Sequence, residues 1–516
     1  MIKIDGNHLT LEACERIGRL HEKVVLSPKG FEQIQVSNQR LNKIIESGIA
    51  VYGINTGFGL FSDKTINPAD ISTLNRNLIL SHAVGTGKPL DNEIVRVAML
   101  IRANTLSKGF SGIREELVST LIEMINKDVI PVIPSQGSLG SSGDLCQLSH
   151  LALVLSRDER DLDEESGRVF FKDRLLSGKT AMERAGIKRI TLGPKEGLAI
   201  NNGATFSTAI ASMAVLDAER LVLLSVLSLA LTLEALRGRS NAFDPRIHFA
   251  RNLKGQILYA KMVNKLIVGS KWMDSSDRVQ DAYSLRCAPQ VCGAVIDTIG
   301  FVKSIIKDEI NAATDNPLVF EPDQAISGGN FHGEPIGLVM DYLKIALSEL
   351  SAISERRTYR LLDQNLNDGL PAMLVDNSSA AGLNSGLMMP HYTAVSLTLE
   401  NQGLANPDST RSLPASGSQE DHNANSMTAA RHAREVVENA RHVLAVEIFS
   451  ACQAISIRQF KDGNLFLGQG AKIFYEIIRS EIPFKSGDRL WVNEIEKLKE
   501  IISSNSFSAL LKETLI

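Results

Sequence analysis

The chain has 516 residues, 44% of them hydrophobic and 22% charged, which is enough apolar material for a large core with more than one substructure. A net charge of −4 gives no electrostatic reason to expect nucleic acid or an anionic membrane as a partner. Five cysteines, Cys14, Cys146, Cys287, Cys292 and Cys452, lack paired metal-ligand spacing, so zinc and disulfide frameworks are disfavoured and a reducing cytoplasm fits best.

The N-terminus, Met1-Ile2-Lys3-Ile4-Asp5-Gly6, has no apolar stretch of the kind a secretory signal needs. Two loop motifs follow, Tyr52-Gly53-Ile54-Asn55-Thr56-Gly57-Phe58-Gly59 and Leu80-Ser81-His82-Ala83. Residues 137–145 then read Gly-Ser-Leu-Gly-Ser-Ser-Gly-Asp-Leu, and an apolar segment through Leu148-Ser149-His150-Leu151-Ala152-Leu153-Val154 turns this into a Gly-rich loop feeding a buried helix. Within the loop, Ser141-Ser142-Gly143 could condense on its own backbone. The nitrogen of Gly143 would attack the carbonyl carbon of Ser141, and loss of the Ser142 hydroxyl would leave an exocyclic methylidene. Gly suits position 143 because a Cβ would obstruct that close approach. Ser-Ser-Gly alone is ordinary turn composition, so the tripeptide gains weight only from its surroundings.

The charged stretch from Arg157 to Lys179 contains Arg168-Val169-Phe170-Phe171 and predicts an exposed hairpin or loop. After Asn201-Asn202-Gly203, the segment Thr205 to Arg237 has no Gly or Pro and is apolar on most faces, which predicts a long helix enclosed by others. Its most apolar run, Leu221 to Leu233, is too short to cross a bilayer, and no transmembrane segment is expected. Ile336 to Leu362 and Ala429 to Ile457 predict two more long helices. Aromatics are 5% of the chain, which disfavours a sheet-based core. The expected fold is therefore mainly α, a bundle of long helices behind a loop-rich N-terminal region. Along the chain this gives an N-terminal domain over 1–204 carrying the Ser-Ser-Gly loop, a central bundle over 205–460 and a C-terminal helical segment over 461–516. Loops at 134–144, 193–204, 322–335 and 405–426 separate the helical blocks and hold the unusual residues.

Further motifs are Gln280-Asp281-Ala282-Tyr283-Ser284-Leu285-Arg286-Cys287, Thr314-Asp315-Asn316-Pro317, Gly328-Gly329-Asn330-Phe331-His332-Gly333 and Ser418-Gln419-Glu420-Asp421-His422. In this order and spacing the chain resembles the aromatic amino acid lyase family from roughly residue 5 to residue 480, most closely its histidine-acting branch. The resemblance implies a fumarase/aspartase-like helical fold and a homotetramer whose active sites are shared between subunits. It also implies elimination of ammonia from L-histidine to give trans-urocanate through a 4-methylideneimidazol-5-one formed autocatalytically from Ser141-Ser142-Gly143, with no metal or diffusible cofactor.

By the same resemblance Tyr52 is the base that takes the β-proton, and Arg286, whose planar fork suits a carboxylate, holds the substrate carboxyl group. Tyr283 and Asn202 match residues that orient the carboxylate and line the modified tripeptide, and Gln280 matches one near the amino group. Glu420 accepts a hydrogen bond or proton from imidazole or amine, His82 reads the substrate ring, and Phe331 packs against electrophile or ring.

Three departures stand out: Ser141 where Ala is usual, Ala204 in place of a Thr, and a longer stretch after Glu420, Asp421-His422-Asn423-Ala424-Asn425-Ser426-Met427. They leave room for a related lyase that expels trimethylamine from a betaine such as ergothioneine, which needs no electrophile. Tyrosine as substrate would also accommodate His82. A non-catalytic assembly or binding role is a further alternative, set against by the retention of Tyr52, Ser142 and Arg286.

Overall fold

The computed structural model describes residues 1–48, 50–57, 64–463 and 466–516. Two compact units form, each discontinuous in sequence: Met1–Ala214 with Val302–Asp341 and Pro407–His432, and Val215–Phe301 with Tyr342–Asn406 and Ala433–Ile516. The contiguous division into three expected along the chain differs from these interleaved units.

The first unit is built on the helix Asn92–Ser107, whose residues from Ile94 onward are all buried, against which Leu11–Leu20 and Glu115–Asn126 pack. Its sheets are small. Ile2–Ile4 pairs in parallel with Val24–Leu26, and Ile130–Pro131, Arg168–Phe171 and Arg174–Ser177 form a three-stranded antiparallel sheet. Where an exposed hairpin or loop is expected over Arg157 to Lys179, the segment forms a hairpin with one face buried, turning through Lys172 and Asp173 at φ 48° and 58°, both left-handed as a two-residue hairpin turn requires. Alternation decides its two faces: Val169 and Phe171 are buried while Phe170 is exposed, so only one side of the hairpin meets solvent.

The second unit holds the greater part of the long helices Thr205–Ala235, Ala288–Glu309, Glu334–Leu362 and Ser426–Asp462. Three of these match the segments expected from apolar patterning. Thr205–Ala235 stops where Arg237 turns left-handed at φ 52° and the Gly238 N–H closes onto the Leu233 carbonyl at 2.8 Å, a Schellman-type helix end whose left-handed position is filled by Arg237. By length and composition Ala288–Glu309 and Ser426–Asp462 could each cross a membrane, but the most apolar window of the latter is 89% buried inside the chain, against 39% for the former.

A buried ion pair crosses the second unit's helices. Arg357 forks onto Glu447, Nε to Oε1 at 2.5 Å and Nη2 to Oε2 at 2.7 Å, and Thr232 and Ser354 donate to the same carboxylate at 2.9 and 2.6 Å. Neither charged side chain is exposed. Glu447→Ala would strand a guanidinium in an apolar interior, and chemical denaturation should show a loss of about 3–5 kcal/mol.

Glu234, also fully buried, accepts bonds from the Ser270 hydroxyl at 2.6 Å and the Gly468 N–H at 2.9 Å. Burial nonetheless pushes its carboxyl up to about 7, from an ordinary value of 4.5. The folded chain therefore keeps this proton to higher pH than the unfolded chain does, and stability from this group falls as pH rises between those values. Glu234→Gln should remove that dependence: its thermal midpoint relative to the parent's rises between about pH 5 and about pH 8.

Candidate active site

The Ser-Ser-Gly loop sits in the first unit between the short strand Pro134–Gln136 and the helix Leu145–Leu155. Its path is fixed by glycines at left-handed φ: Gly137 at 118°, Gly140 at 73° and Gly143 at 73°. Gly143 has no space for a side chain, because an added Cβ would lie 2.0 Å from the carbonyl carbon of Gly203 and 2.4 Å from its Cα. Both are main-chain atoms.

Three further segments hold the loop from outside. The Gly333 N–H donates to the Gly140 carbonyl at 2.8 Å, and the Asn425 N–H donates to the Leu139 carbonyl at 2.7 Å. The Ser142 carbonyl accepts from the Asn202 side-chain amide at 2.9 Å and from the Gly203 N–H at 3.3 Å. Asp144, fully buried, accepts from the Ser207 N–H and hydroxyl at 2.8 Å each and from the Ser138 hydroxyl at 2.9 Å, which pins the loop to the first turn of Thr205–Ala235. Burial pushes the Asp144 carboxyl above its ordinary range, against the pull of those bonds. Arg102 lies beneath Gly203, donates to the Thr205 hydroxyl and, at 3.3 Å, to the Ala199 carbonyl, and is brought down to about 10 by burial.

The loop opens on a cavity of about 1450 Å³. Seven residues singled out from sequence line it: Tyr52, His82, Ser141, Ser142, Asn202, Phe331 and Glu420. Gly143 lies behind this wall, and the end of the first loop motif, Phe58-Gly59, falls outside the described residues. Glu420 reaches the tripeptide directly. Its Oε1 accepts from the Ser142 hydroxyl at 3.0 Å and its Oε2 from the Ser141 hydroxyl. His82 ends the helix Ile71–His82 with Nδ1 at 3.0 Å from the Ser81 hydroxyl. Burial holds its imidazole below the usual range, against the opposing effects of a backbone hydrogen bond at Leu78 and the Glu420 charge.

Gln280, Tyr283 and Arg286 are not in this wall; all three belong to the second unit. Tyr283 is 70% exposed, with the Arg286 guanidinium 4.6 Å from its ring centroid. Arg286 Nε donates to the Asp281 carbonyl at 2.9 Å.

Several cavity residues had no role assigned from sequence. Lys64, Asn77, Glu334, Asp421 and His422 line it, as does His332. The rings of His332 and His422 stack at 5.9 Å and 12°, and His332 Nε2 donates to the His422 carbonyl at 3.2 Å. Both histidines stand in quoted motifs, but a contact across 90 residues leaves no local signal. Asp144 directly follows the tripeptide, and an Asp just ahead of an apolar helical segment is a helix-start signal, although its side chain caps Thr205–Ala235 through Ser207 and not its own helix. The stretch after Glu420 contributes as well: Asp421 and His422 form cavity wall, and Asn425 returns to hold the Ser-Ser-Gly loop.

A mainly helical chain with a glycine-clamped Ser-Ser-Gly loop facing Tyr, His and Glu side chains defines a class, and the chain belongs to the aromatic amino acid lyase family, whose model matches residues 9–480. It is a carbon–nitrogen lyase. Over 516 residues it is 47% identical to histidine ammonia-lyase of Caldanaerobacter subterraneus subsp. tengcongensis, covering 99% of this chain and 98% of that protein. The crystal structure of histidine ammonia-lyase from Trypanosoma cruzi superposes with a TM-score of 0.90 at 36% identity, over 99% of this chain and 95% of the other. The ergothioneine-degrading enzyme ergothionase from Treponema denticola superposes at 0.89 with 30% identity, each chain covered to 99%. The fold is the helical fumarase/aspartase-like type expected from the sequence.

Proposed function

We propose that the chain eliminates ammonia from L-histidine to give trans-urocanate, and that Ser141-Ser142-Gly143 matures into a 4-methylideneimidazol-5-one at the wall of this cavity. The observation that carries the reading is the clamp on the tripeptide. With Gly143 pressed on Gly203 and the Ser142 carbonyl held by Asn202, the main chain is bent and immobilised over the three residues that ring closure uses. The 36% identity to the histidine ammonia-lyase against 30% to the ergothionase in the structural superpositions, with 47% to a curated histidine ammonia-lyase in sequence, supports histidine over a betaine.

Once formed, the heterocycle supplies an electrophile for the substrate nitrogen, turning a mediocre leaving group into a good one. The chain's own side chains do the rest. Tyr52 takes the β-proton, which is too weakly acidic to be lost unaided. Glu420 accepts a hydrogen bond from the imidazole or amine, His82 hydrogen-bonds the substrate ring, and Phe331 packs on its face. Asn202 keeps the tripeptide carbonyl oriented. Gln280, Tyr283 and Arg286 bind the amino and carboxylate groups of a substrate held by another copy in a homotetramer, Arg286 through its bidentate fork. The enzyme works in the cytoplasm, in keeping with five unpaired thiols.

The test is purified protein mixed separately with histidine, tyrosine and ergothioneine while the absorbance of each unsaturated acid is followed. Urocanate from histidine is the expected result, and product from ergothioneine alone would overturn the assignment. Tyr52→Phe keeps the ring and deletes the base, so kcat should fall about 10²–10⁴-fold.

A further inference from the structure

We propose that the hydroxyl of Ser141 is a positioning group for Glu420, holding one carboxylate oxygen so that the other faces the substrate. The inference rests on the reading of Ser141-Ser142-Gly143 as the precursor of an electrophile.

Glu420 is held by two seryl hydroxyls, Ser142 on Oε1 at 3.0 Å and Ser141 on Oε2. These donors have different fates. Ring closure joins the Gly143 nitrogen to the Ser141 carbonyl carbon and releases that carbonyl oxygen as water. In the second dehydration the Cα–H electron pair of Ser142 becomes the Cα–Cβ double bond, the Cβ–Oγ bond breaks, and the hydroxyl leaves with a proton as the second water. Oε1 therefore loses its partner during maturation. Ser141 gives only its carbonyl to the ring, and its hydroxyl is not consumed. Oε2 keeps its donor.

The consequence is a division of labour between the two carboxylate oxygens. A glutamate side chain has considerable rotamer freedom, and fixing it before substrate arrives removes an ordering cost from the reaction. Ser141 is 5% exposed, so water does not readily substitute for its hydroxyl. It stands on the tripeptide itself, so the carboxylate is located relative to the residues that become the electrophile. A simple turn-forming role would leave the hydroxyl indifferent to Glu420.

A double-mutant cycle with Ser141→Ala and Glu420→Ala tests this, reading kcat/KM for histidine, calorimetric affinity for urocanate without turnover, and intact mass. Ser141→Ala should still emerge lighter by two waters and lose about tenfold in kcat/KM, with a comparable loss in urocanate affinity. In the Glu420→Ala background the same change should cost nothing further. Undiminished activity in Ser141→Ala overturns the inference, as does a full additional loss in the double variant. A Ser141→Ala chain that keeps either water also overturns it, since the hydroxyl would then serve ring closure. If the parent chain itself keeps both waters, the proposed function fails instead, and the two failures are distinct.

Discussion

Ser142→Ala is expected to lower turnover of histidine by about 10³-fold or more while leaving the thermal midpoint unchanged. The residue's two contributions separate cleanly. Its carbonyl, held by Asn202 and the Gly203 N–H, belongs to the main chain and survives the substitution. Its hydroxyl donates to Glu420 and, under the proposed chemistry, is the group whose loss creates the electrophilic carbon. Alanine has no leaving group, so the second dehydration cannot occur and the variant should retain at least one water more than its parent. Kinetics with matched thermal melts and intact masses reads all three effects. A variant within tenfold of the parent would mean that the substrate nitrogen leaves without covalent help.

The second large effect is expected from Gly143→Ala, which attacks geometry instead of chemistry. An added methyl would sit 2.0 Å from a carbonyl carbon and 2.3 Å from its oxygen, and backbone φ at 73° is unfavourable for any residue with a Cβ. Neither neighbour is a side chain that can swing away, so the loop must leave its clamp. A loss of roughly 2–4 kcal/mol and a chain that fails to shed two waters are the expected outcomes. Gly140→Ala is the control. There φ is also 73°, but the nearest contact is the Ser426 hydroxyl at 2.6 Å, which can rotate, and the nearest main-chain atom is the Ser426 nitrogen at 3.0 Å, so the backbone penalty is shared and a milder total loss should follow.

Much of the architecture was legible because it rests on patterns a single sequence displays. The absence of Gly and Pro from Thr205 onward and the all-round apolarity of Leu221 to Leu233 announce a buried helix, and Val226, Leu227, Leu229 and Leu231 are indeed fully buried. The alternation at Arg168 to Phe171 left hairpin and loop both open, and the structure has the hairpin. What the sequence could not display was partnership across long separations. Asp144 reaches Ser207, Glu420 reaches Ser141, and His332 stacks on His422, each pairing decided by tertiary packing. Gln280, Tyr283 and Arg286 carry the opposite lesson. Their motif marked them as chemistry-bearing, yet they are not among the residues lining the cavity, because spacing along a sequence does not fix which side chains the fold brings together.

Ser141 and the stretch after Glu420 stood out in the sequence as departures from the family it resembles, but what they do in the fold was not legible. The structure gives each a contact: Ser141 to the Glu420 carboxylate, Asn425 to the Leu139 carbonyl. Both bear on the same loop, so the departures reinforce the tripeptide's surroundings.

Intact-protein mass spectrometry of the purified chain tests the central claim most directly, because both dehydrations are recorded in mass before any substrate is added. A chain lighter than its amino-acid sequence by two waters, with the deficit mapping to a peptide containing Ser141-Ser142-Gly143, is the expected result. A mass equal to that of the unmodified sequence would contradict it.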